Sequence, residues 1–218
     1  MSSVNPNIKQ SKTIPSSFYY SIEQLNKTKE TLFPKYWQFV CDQNKLNNHG
    51  DAFPYDFIEN FIEEPLVLVN NHGTINAMSN VCTHRGNILV ENPTNLKNGI
   101  ICRYHGRKFD TCGKFKFMPK CEDVENFPSK TDNLTKIKIN KWKQFYFTSI
   151  SPEINFNELI QDMDKRIGWM PIEKFTFSKE HSKEYTVNGN WALYCDNYLE
   201  GFHIPFVHQG LTQNLNYA

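Results

Sequence analysis

Two short stretches of similar sequence, "CTHRG" at residues 82–86 and "CRYHG" at residues 102–106, each carry one cysteine and one histidine. The spacings differ, because the histidine stands two positions after Cys82 but three positions after Cys102. Thiolates and neutral imidazoles are common protein ligands of transition metals. Since the two stretches together supply two thiols and two imidazoles, the pattern indicates one metal centre built from both.

Three interpretations of these four side chains compete. A structural zinc site is one, but zinc ribbons usually present Cys-x2-Cys knuckles rather than one cysteine and one histidine on each loop. An incidental set of buried side chains is another, and the joint match of residue type, order and spacing argues against it. A [2Fe–2S] cluster with unlike irons explains the arrangement best, since two thiolates then hold one iron and two imidazoles hold the other.

The full pattern, Cys82-x-His84, seventeen residues, then Cys102-x2-His105, resembles the Rieske [2Fe–2S] motif. The resemblance implies that these four residues bind the cluster. Neutral imidazoles leave the cluster less negative than four thiolates would, which raises its reduction potential.

The flanking residues indicate the branch of the Rieske family. Respiratory Rieske proteins carry one further cysteine in each loop, whereas this chain has Asn87 and Tyr104 at those places. The loops instead resemble the Rieske modules of oxygenases and soluble ferredoxins. Oxygenases commonly have tryptophan after the second "HG", where this chain has Arg107. We expect that charge to lie near the exposed edge of the cluster and to affect its potential or partner docking.

Composition excludes several classes of function. The chain has 218 residues, with 24 Lys and Arg against 23 Asp and Glu, so charge gives no case for a nucleic-acid or membrane-surface partner. No apolar run approaches the roughly 18 residues of a membrane span, and the polar N-terminus lacks an export signal. Six cysteines are too few for a disulfide scaffold, so we expect a reducing, cytoplasmic location. Four of them lack a ligand-like partner: Cys41, Cys112, Cys121 and Cys195.

The predicted fold class is α+β, with a β-rich Rieske module inserted in the start of a helix-grip-like catalytic domain. The predicted domains are an N-terminal lead and helix at 1–35, the Rieske domain at 36–150, and the start of a mononuclear iron domain at 151–218. Ser21 and Gln24 have capping-box spacing, which predicts a helix that Pro34 stops.

Local patterns predict the individual elements. "PLVLV" at 65–69 predicts a strand, and "NNHG" at 70–73 predicts a turn into the next strand. Further short strands are expected up to residue 150. "NFNELIQDMDKRI" predicts a helix with Asn155 as its N-cap, and "KFTFSKEHSKEYTV" at 174–187 predicts a strand or hairpin.

A second set of candidate metal ligands follows in "NWALYCDNYLEGFHIPFVH". Apolar periodicity predicts a helix here, and Glu200 and His203, three residues apart, would share one of its faces. His208 would point elsewhere in an unbroken helix. Pro205 predicts the break that lets both imidazoles meet one metal, because it donates no backbone hydrogen bond and clashes with the preceding turn. Two ordinary half-buried histidines are the alternative.

The resemblance to Rieske non-haem iron oxygenases extends to this segment. It implies that His203 and His208 bind a catalytic Fe(II), a centre in which two histidines and a carboxylate leave sites open for O2. It also implies that Glu200 links a Rieske histidine of one subunit to an iron-ligand histidine of the next. The family's third ligand, an acidic residue far downstream, is absent after His208, which suggests an N-terminal portion of a longer subunit. Asp196 is the alternative third ligand.

The resemblance therefore implies an oxygenase α-subunit, most similar to the branch that includes choline monooxygenase. A ferredoxin or flavin reductase would deliver electrons to the [2Fe–2S] cluster, and His84 or His105 and Glu200 would pass them to the mononuclear Fe(II). There O2 would be activated to hydroxylate a small organic substrate, with a quaternary amine such as choline as the first candidate. A homotrimer is implied. An aromatic-ring-hydroxylating dioxygenase is one alternative, and a Rieske electron-transfer protein without oxygenase activity is another.

Overall fold

The computed structural model describes residues 4–121 and 123–213. The chain divides into two compact units, Lys29–Thr176 and a second made of Met1–Thr28 with Phe177–Ala218. The larger unit includes all of the predicted Rieske domain at 36–150 and continues for another 26 residues. The predicted domain boundaries themselves stay a prediction.

Antiparallel sheets form most of the larger unit. A seven-stranded sheet has the order β1-β10-β9-β4-β3-β2-β5, and a three-stranded sheet has the order β6-β7-β8. The strands of the first are β1 Gln38–Asp42, β2 Asp51–Ile58, β3 Ile62–Asn71, β4 Thr74–Ser79, β5 Thr94–Asn95, β9 Lys136–Trp142 and β10 Phe145–Ser149. Those of the second are β6 Ile100–Ile101, β7 Lys108–Phe109 and β8 Phe115–Phe117.

Strand β3 lies between two hydrophobic clusters, which confirms the strand predicted from "PLVLV". Its residues Leu66 to Val69 are fully buried. Successive side chains of a strand point to opposite faces, so Val67 and Val69 pack in one cluster while Leu68 packs in the other. The first of these clusters also contains Cys82 and Cys102. Strand β3 therefore supports both of the cysteine-bearing loops.

The turn between β3 and β4 also matches its prediction. His72 has φ 51° and Gly73 has φ 89°, the left-handed conformations that a tight two-residue hairpin requires. The side chain of Asn70 accepts a hydrogen bond from the Gly73 N–H at 2.7 Å and donates one to the Leu46 carbonyl at 2.7 Å. This buried amide therefore ties the hairpin to the segment before β2.

Helix α3, Phe156–Ile167, belongs to the larger unit because it packs against the sheet. Phe156 lies in a cluster with Trp142 and Phe147, and the indole Nε1–H of Trp142 donates to Asp164 Oδ1 at 2.8 Å. The side chain of Asn155 accepts from the Asn157 N–H and caps the helix, as predicted. This packing places residues beyond 150 in the same compact unit as the sheet.

The regular secondary structure described in the smaller unit is all helical. Its helices are α1 Ser17–Tyr20, the start of α2 Ile22–Thr31, α4 Trp191–Leu199, α5 Ile204–Val207 and α6 Gln209–Thr212. Helix α2 begins after Ser21, whose hydroxyl accepts from the Gln24 N–H at 3.3 Å, and it ends before Pro34, as predicted. Asn190 caps α4 and also donates to the Tyr19 carbonyl at 3.0 Å. The predicted α+β class is confirmed, and within the described ranges no helix is long and apolar enough to cross a membrane.

The prediction of a strand or hairpin at 174–187 was wrong. Apart from the end of a short 3-10 turn, Ile172–Lys174, the segment has no regular secondary structure. A strand needs a neighbour that accepts its backbone hydrogen bonds. None of the described strands pairs with this segment, and its large apolar side chains are exposed. These are Phe175, Phe177, Tyr185 and Val187.

Substitution of Gly50 by alanine should destabilise the fold more than substitution of Gly73. Both have positive φ, 87° and 89°, so alanine costs about 1–2 kcal/mol at either position. A Cβ at Gly50 would also lie 2.4 Å from the backbone nitrogen of Lys97, whereas at Gly73 no described atom lies within 4 Å. We expect Gly50→Ala to lower the free energy of unfolding by about 1–3 kcal/mol more than Gly73→Ala in urea denaturation. Equal losses would show that the close approach at Lys97 relaxes without cost.

Candidate metal centres

The two cysteine-bearing loops have the same backbone geometry despite their different spacings. The Cys82 N–H donates to the Asn87 carbonyl at 2.8 Å, and the Gly86 N–H donates to the Cys82 carbonyl at 3.0 Å. The second loop repeats both bonds, from Cys102 to Arg107 at 2.8 Å and from Gly106 to Cys102 at 2.9 Å. Both glycines have positive φ, 71° and 73°, which a side chain would disfavour. Gly86 and Gly106 therefore each close one of the two turns.

The structure brings all four predicted cluster ligands together as two pairs. Cys82 and Cys102 are buried in one hydrophobic cluster, and neither forms a disulfide. His84 and His105 are exposed, and their ring centroids lie 4.8 Å apart. A Rieske cluster takes two thiolates on one iron and two imidazoles on the other, so the donor set suits it.

Local electrostatics favour the coordinating form of His84. Slight desolvation, the neighbouring His105 and the cations Arg85 and Arg107 all lower its pKa, which favours the neutral imidazole that a metal ligand must be. Burial raises the pKa of the Cys82 thiol, a backbone hydrogen bond from His84 opposes the rise, and the adjacent Cys102 adds to it. The two thiols are therefore close enough to interact.

Asn80 holds the base of the first loop. Its side chain donates to the Val90 carbonyl at 2.7 Å and accepts from the Val90 N–H at 2.9 Å, and both residues are buried. The Leu89 N–H donates to the Asn80 carbonyl at 2.9 Å, and Val81 pairs with Ile88 as an isolated β-bridge. The loop that carries Cys82 and His84 is therefore closed at its base by side-chain as well as backbone hydrogen bonds.

The expectation that Arg107 lies at an exposed edge was wrong. The side chain is 3% exposed, and its guanidinium pairs with Asp132 and lies over the ring of Phe115, 4.9 Å from the centroid. Burial of a cation is tolerated where a carboxylate and aromatic faces replace water. Asp132 is 25 residues from Arg107, and such a partner cannot be identified from the motif alone.

The second candidate site lies in the smaller unit. The rings of His203 and His208 are 5.2 Å apart between centroids, and Glu200 Oε1 contacts His203 Nδ1. The hydrogen bond with His203 lowers the pKa of Glu200, so its carboxylate stays ionised and accepts a hydrogen bond from Nδ1–H of His203, which leaves Nε2 free as a ligand. Metal–imidazole bonds are about 2 Å long, so both rings can reach one ion.

The helix ends earlier than predicted, before Glu200. Helix α4 ends at Leu199, and Glu200 has an extended backbone, so Glu200 and His203 do not share a helix. Their contact comes instead from a tight turn, in which Glu200 Oε2 accepts from the N–H groups of Phe202 at 2.6 Å and His203 at 3.3 Å. Pro205 lies at the start of α5 rather than at a kink, because the first turn of a helix needs no N–H from it.

Asp196, the alternative third ligand, is engaged elsewhere, since its carboxylate accepts a hydrogen bond from the Tyr19 hydroxyl. Within residues 4–121 and 123–213, no three or more His, Cys, Asp or Glu side chains are gathered so as to hold a metal ion. A Rieske cluster does not need such a set, because each iron takes two protein ligands. The pair His203 and His208 therefore has no third protein ligand in the described part of the chain.

Comparison with known proteins identifies the part of the larger unit that carries the two cysteine-bearing loops. Residues 36–128 match the family profile described as "Rieske [2Fe-2S] domain". Residues 36–128 form a Rieske domain. The expected [2Fe–2S] cofactor and the predicted resemblance to Rieske oxygenase α-subunits are confirmed.

The curated proteins to which the chain is similar include two kinds of monooxygenase. The carnitine monooxygenase oxygenase subunit of Escherichia coli K12 is 28% identical over 208 residues, covering 93% of this chain and 54% of the relative. The chloroplastic choline monooxygenase of Arabidopsis thaliana is 25% identical over 225 residues, covering 96% of this chain and 51% of the relative. The chain thus spans about half the length of the curated relatives it matches.

Solved structures of Rieske oxygenases are also similar to this chain. A crystal structure of the quaternary ammonium Rieske monooxygenase CntA with an inhibitor superposes with a TM-score of 0.76 and 25% identity, covering 94% of this chain and 56% of that one. A naphthalene 1,2-dioxygenase with bound indole gives a TM-score of 0.64 at 20% identity, covering 88% and 43%. The latter shows the shared fold alone.

Sequence reasoning missed three residues that support the Rieske loops: Asn80, Thr83 and Asp132. The Thr83 hydroxyl donates to the Asp132 carbonyl at 2.8 Å. Asn80 stands two residues before the first cysteine, and an uncharged amide just before a ligand loop was the available signal. For Thr83 and Asp132 the sequence offers no local signal, because 49 residues separate them.

Asn80→Ala should destabilise the Rieske domain by about 2–3 kcal/mol, because it leaves the buried N–H and carbonyl of Val90 without partners. Urea denaturation of the metal-free chain measures this. Asn157→Ala, which changes an exposed residue of α3, is the matched control and should stay within about 0.5 kcal/mol of the parent chain. A loss no larger than the control's would mean that water replaces Asn80 at the base of the loop.

Proposed function

We propose that this chain forms the electron-accepting part, and the start of the catalytic part, of a Rieske-type oxygenase α-subunit. The convergence of two buried thiols and two exposed imidazoles on congruent loops carries the proposal. Similarity to carnitine and choline monooxygenases along more than nine-tenths of the chain supports it. An enzyme of this class is an oxidoreductase that incorporates oxygen from O2.

In this proposal Cys82 and Cys102 hold one iron of the cluster, and His84 and His105 hold the other. The buried thiols keep their iron away from water, and the exposed imidazoles place the second iron at the protein surface. Electrons would therefore enter and leave through the histidine edge. The donor is a ferredoxin or a flavin reductase.

The residues of the smaller unit would serve the chemical step. His203 and His208 bind Fe(II), which supplies O2 activation when bound. Glu200 orients His203 through Nδ1, and in an assembled enzyme it also links that histidine to a Rieske histidine of a neighbouring subunit. A homotrimer is the proposed assembly. A solved structure of a quaternary ammonium Rieske monooxygenase gives insights into inter-subunit electron transfer in that protein, which supports this arrangement.

A small quaternary amine is the proposed substrate class, because carnitine and choline are the substrates named for the similar curated proteins. The alternative of an aromatic-ring dioxygenase rests on likeness of fold to naphthalene dioxygenase. A cytoplasmic location is proposed because six cysteines in 218 residues fit a reducing compartment better than a disulfide scaffold.

Replacing Cys82 by serine should abolish the cluster, because serine does not supply the thiolate that one iron needs. The parent chain, purified without oxygen and reduced, should give a Rieske-type electron paramagnetic resonance signal. Cys112→Ser is the matched control, since that half-buried thiol accepts hydrogen bonds from Asn71 and Asn76 and has no role at the centre. A full signal in Cys82→Ser would refute the ligand assignment, and zinc in place of iron and sulfide would refute the proposed function.

Glu200→Gln should weaken metal binding by His203 and His208 by about 10–100-fold, because the carboxylate that orients His203 is lost. Titration of the chain with Co(II), followed by its visible absorption, measures this without any need for turnover. Glu184→Gln, an exposed acid of the same unit, should leave the affinity unchanged. Equal affinity in the two variants would make Glu200 a residue that only closes the turn after α4.

A further inference from the structure

The strongest unexplained feature is the environment of Arg107. The guanidinium carbon lies 4.9 Å from the ring centroid of Phe115, 5.6 Å from that of Phe127 and 5.8 Å from that of Phe109. The side chain is 3% exposed, and its Nε, which is buried, has no hydrogen-bond partner among the described residues. An arginine so enclosed costs free energy to bury, so a merely structural role would be served better by an apolar side chain.

Asp132 provides the compensating charge and is itself fixed in place. Its carboxylate pairs with the Arg107 NH2 group and also accepts from the Ser129 N–H at 2.7 Å and the Ser129 hydroxyl at 3.0 Å. Burial opposes ionisation, but the hydrogen bonds from Ser129 and Arg107 lower the pKa of Asp132, so the pair is ionised at neutral pH. Its side chain is 17% exposed, so the pair is largely shielded from solvent.

This pair connects both ligand loops at one turn. The backbone carbonyl of Arg107 accepts from the Cys102 N–H and closes the second loop, while the backbone carbonyl of Asp132 accepts the hydroxyl of Thr83 from the first loop. The charges of Arg107 and Asp132 are therefore held at fixed positions beside the backbone that carries all four cluster ligands.

We propose that the buried Arg107–Asp132 pair sets the reduction potential of the Rieske cluster, with Arg107 favouring the reduced state and Asp132 opposing it. Reduction adds one negative charge to the cluster, which a nearby cation stabilises and a nearby anion destabilises. Both effects are large where the charges are buried, because the local dielectric constant is low and salt does not screen them. The inference rests on the cluster-binding part of the proposed function. Neither Arg107 nor Asp132 supplies a ligand, so both act on the cluster only through their charges.

Two single variants separate the electrostatic role from a structural one, because they should shift the potential in opposite directions. Arg107→Met leaves the charge of Asp132 uncompensated, so we expect a lower potential. Asp132→Asn keeps an oxygen for Arg107 but removes the negative charge, so we expect a higher potential. The double variant should return towards the parent value. The measurement is a potentiometric titration of the 218-residue chain, following the Rieske electron paramagnetic resonance signal with redox mediators.

Two further variants are controls. Arg107→Lys keeps the cation, so its potential should stay closer to that of the parent chain than the potential of Arg107→Met does. Arg166→Met removes one partner of an exposed ion pair with Asp162 on α3, where the two side chains are 75% and 65% exposed, and should leave the potential unchanged.

The outcomes distinguish the possible failures. Shifts of the same sign in Arg107→Met and Asp132→Asn, or no shift in either, would overturn the inference while leaving the cluster assignment intact. Absence of a Rieske signal from the parent chain would instead refute the proposed function itself. If Arg107→Met does not retain a cluster, the sign of the Asp132→Asn shift decides alone: a rise supports the inference and a fall or no change overturns it.

Discussion

Two glycine-closed turns impose the constraint on which the Rieske domain depends. Each turn requires an N–H from Gly86 or Gly106 to reach the carbonyl of the cysteine four residues earlier, with the glycine in a left-handed conformation. This geometry directs both thiols into one hydrophobic cluster and leaves both imidazoles at the surface. The unequal spacings, Cys-x-His and Cys-x2-His, are therefore compatible with one shared backbone shape, because the histidines lie at different positions on equivalent turns.

Packing and hydrogen bonds from the rest of the domain hold these two turns in position. Strand β3 contributes Val67 and Val69 to the cluster that contains both cysteines, and Asn80 closes the base of the first loop. The centre at His203 and His208 is organised differently. Its support is a local turn around Glu200, and the described part of the chain provides no third carboxylate. The proposed cluster site thus has all four of its expected side chains, while the candidate catalytic site has two of its three expected ligands within the described residues.

Local signals predicted the local features. The "PLVLV" strand, the "NNHG" turn and the Asn155 cap depend on neighbouring residues alone, and all three are present. The sequence could not show that Arg107 is buried, because the residues that enclose it stand up to 25 positions away. The segment 174–187 was predicted to form a strand or hairpin, but a strand requires a neighbouring strand, and none of the described strands pairs with it. The sequence placed the end of the helix at Pro205, because a turn held by a glutamate side chain is harder to recognise than a proline.

The central claim is that one cysteine and one histidine from each loop bind two unlike irons. Electron–nuclear double resonance on the reduced chain, grown with ¹⁵N-labelled histidine, tests it most directly. The account predicts two distinct histidine nitrogens coupled to the cluster in the parent chain and only one after replacement of either His84 or His105. A reduced cluster with no coupled histidine nitrogen would contradict the account, because the four ligands would then not be those that the two loops bring together.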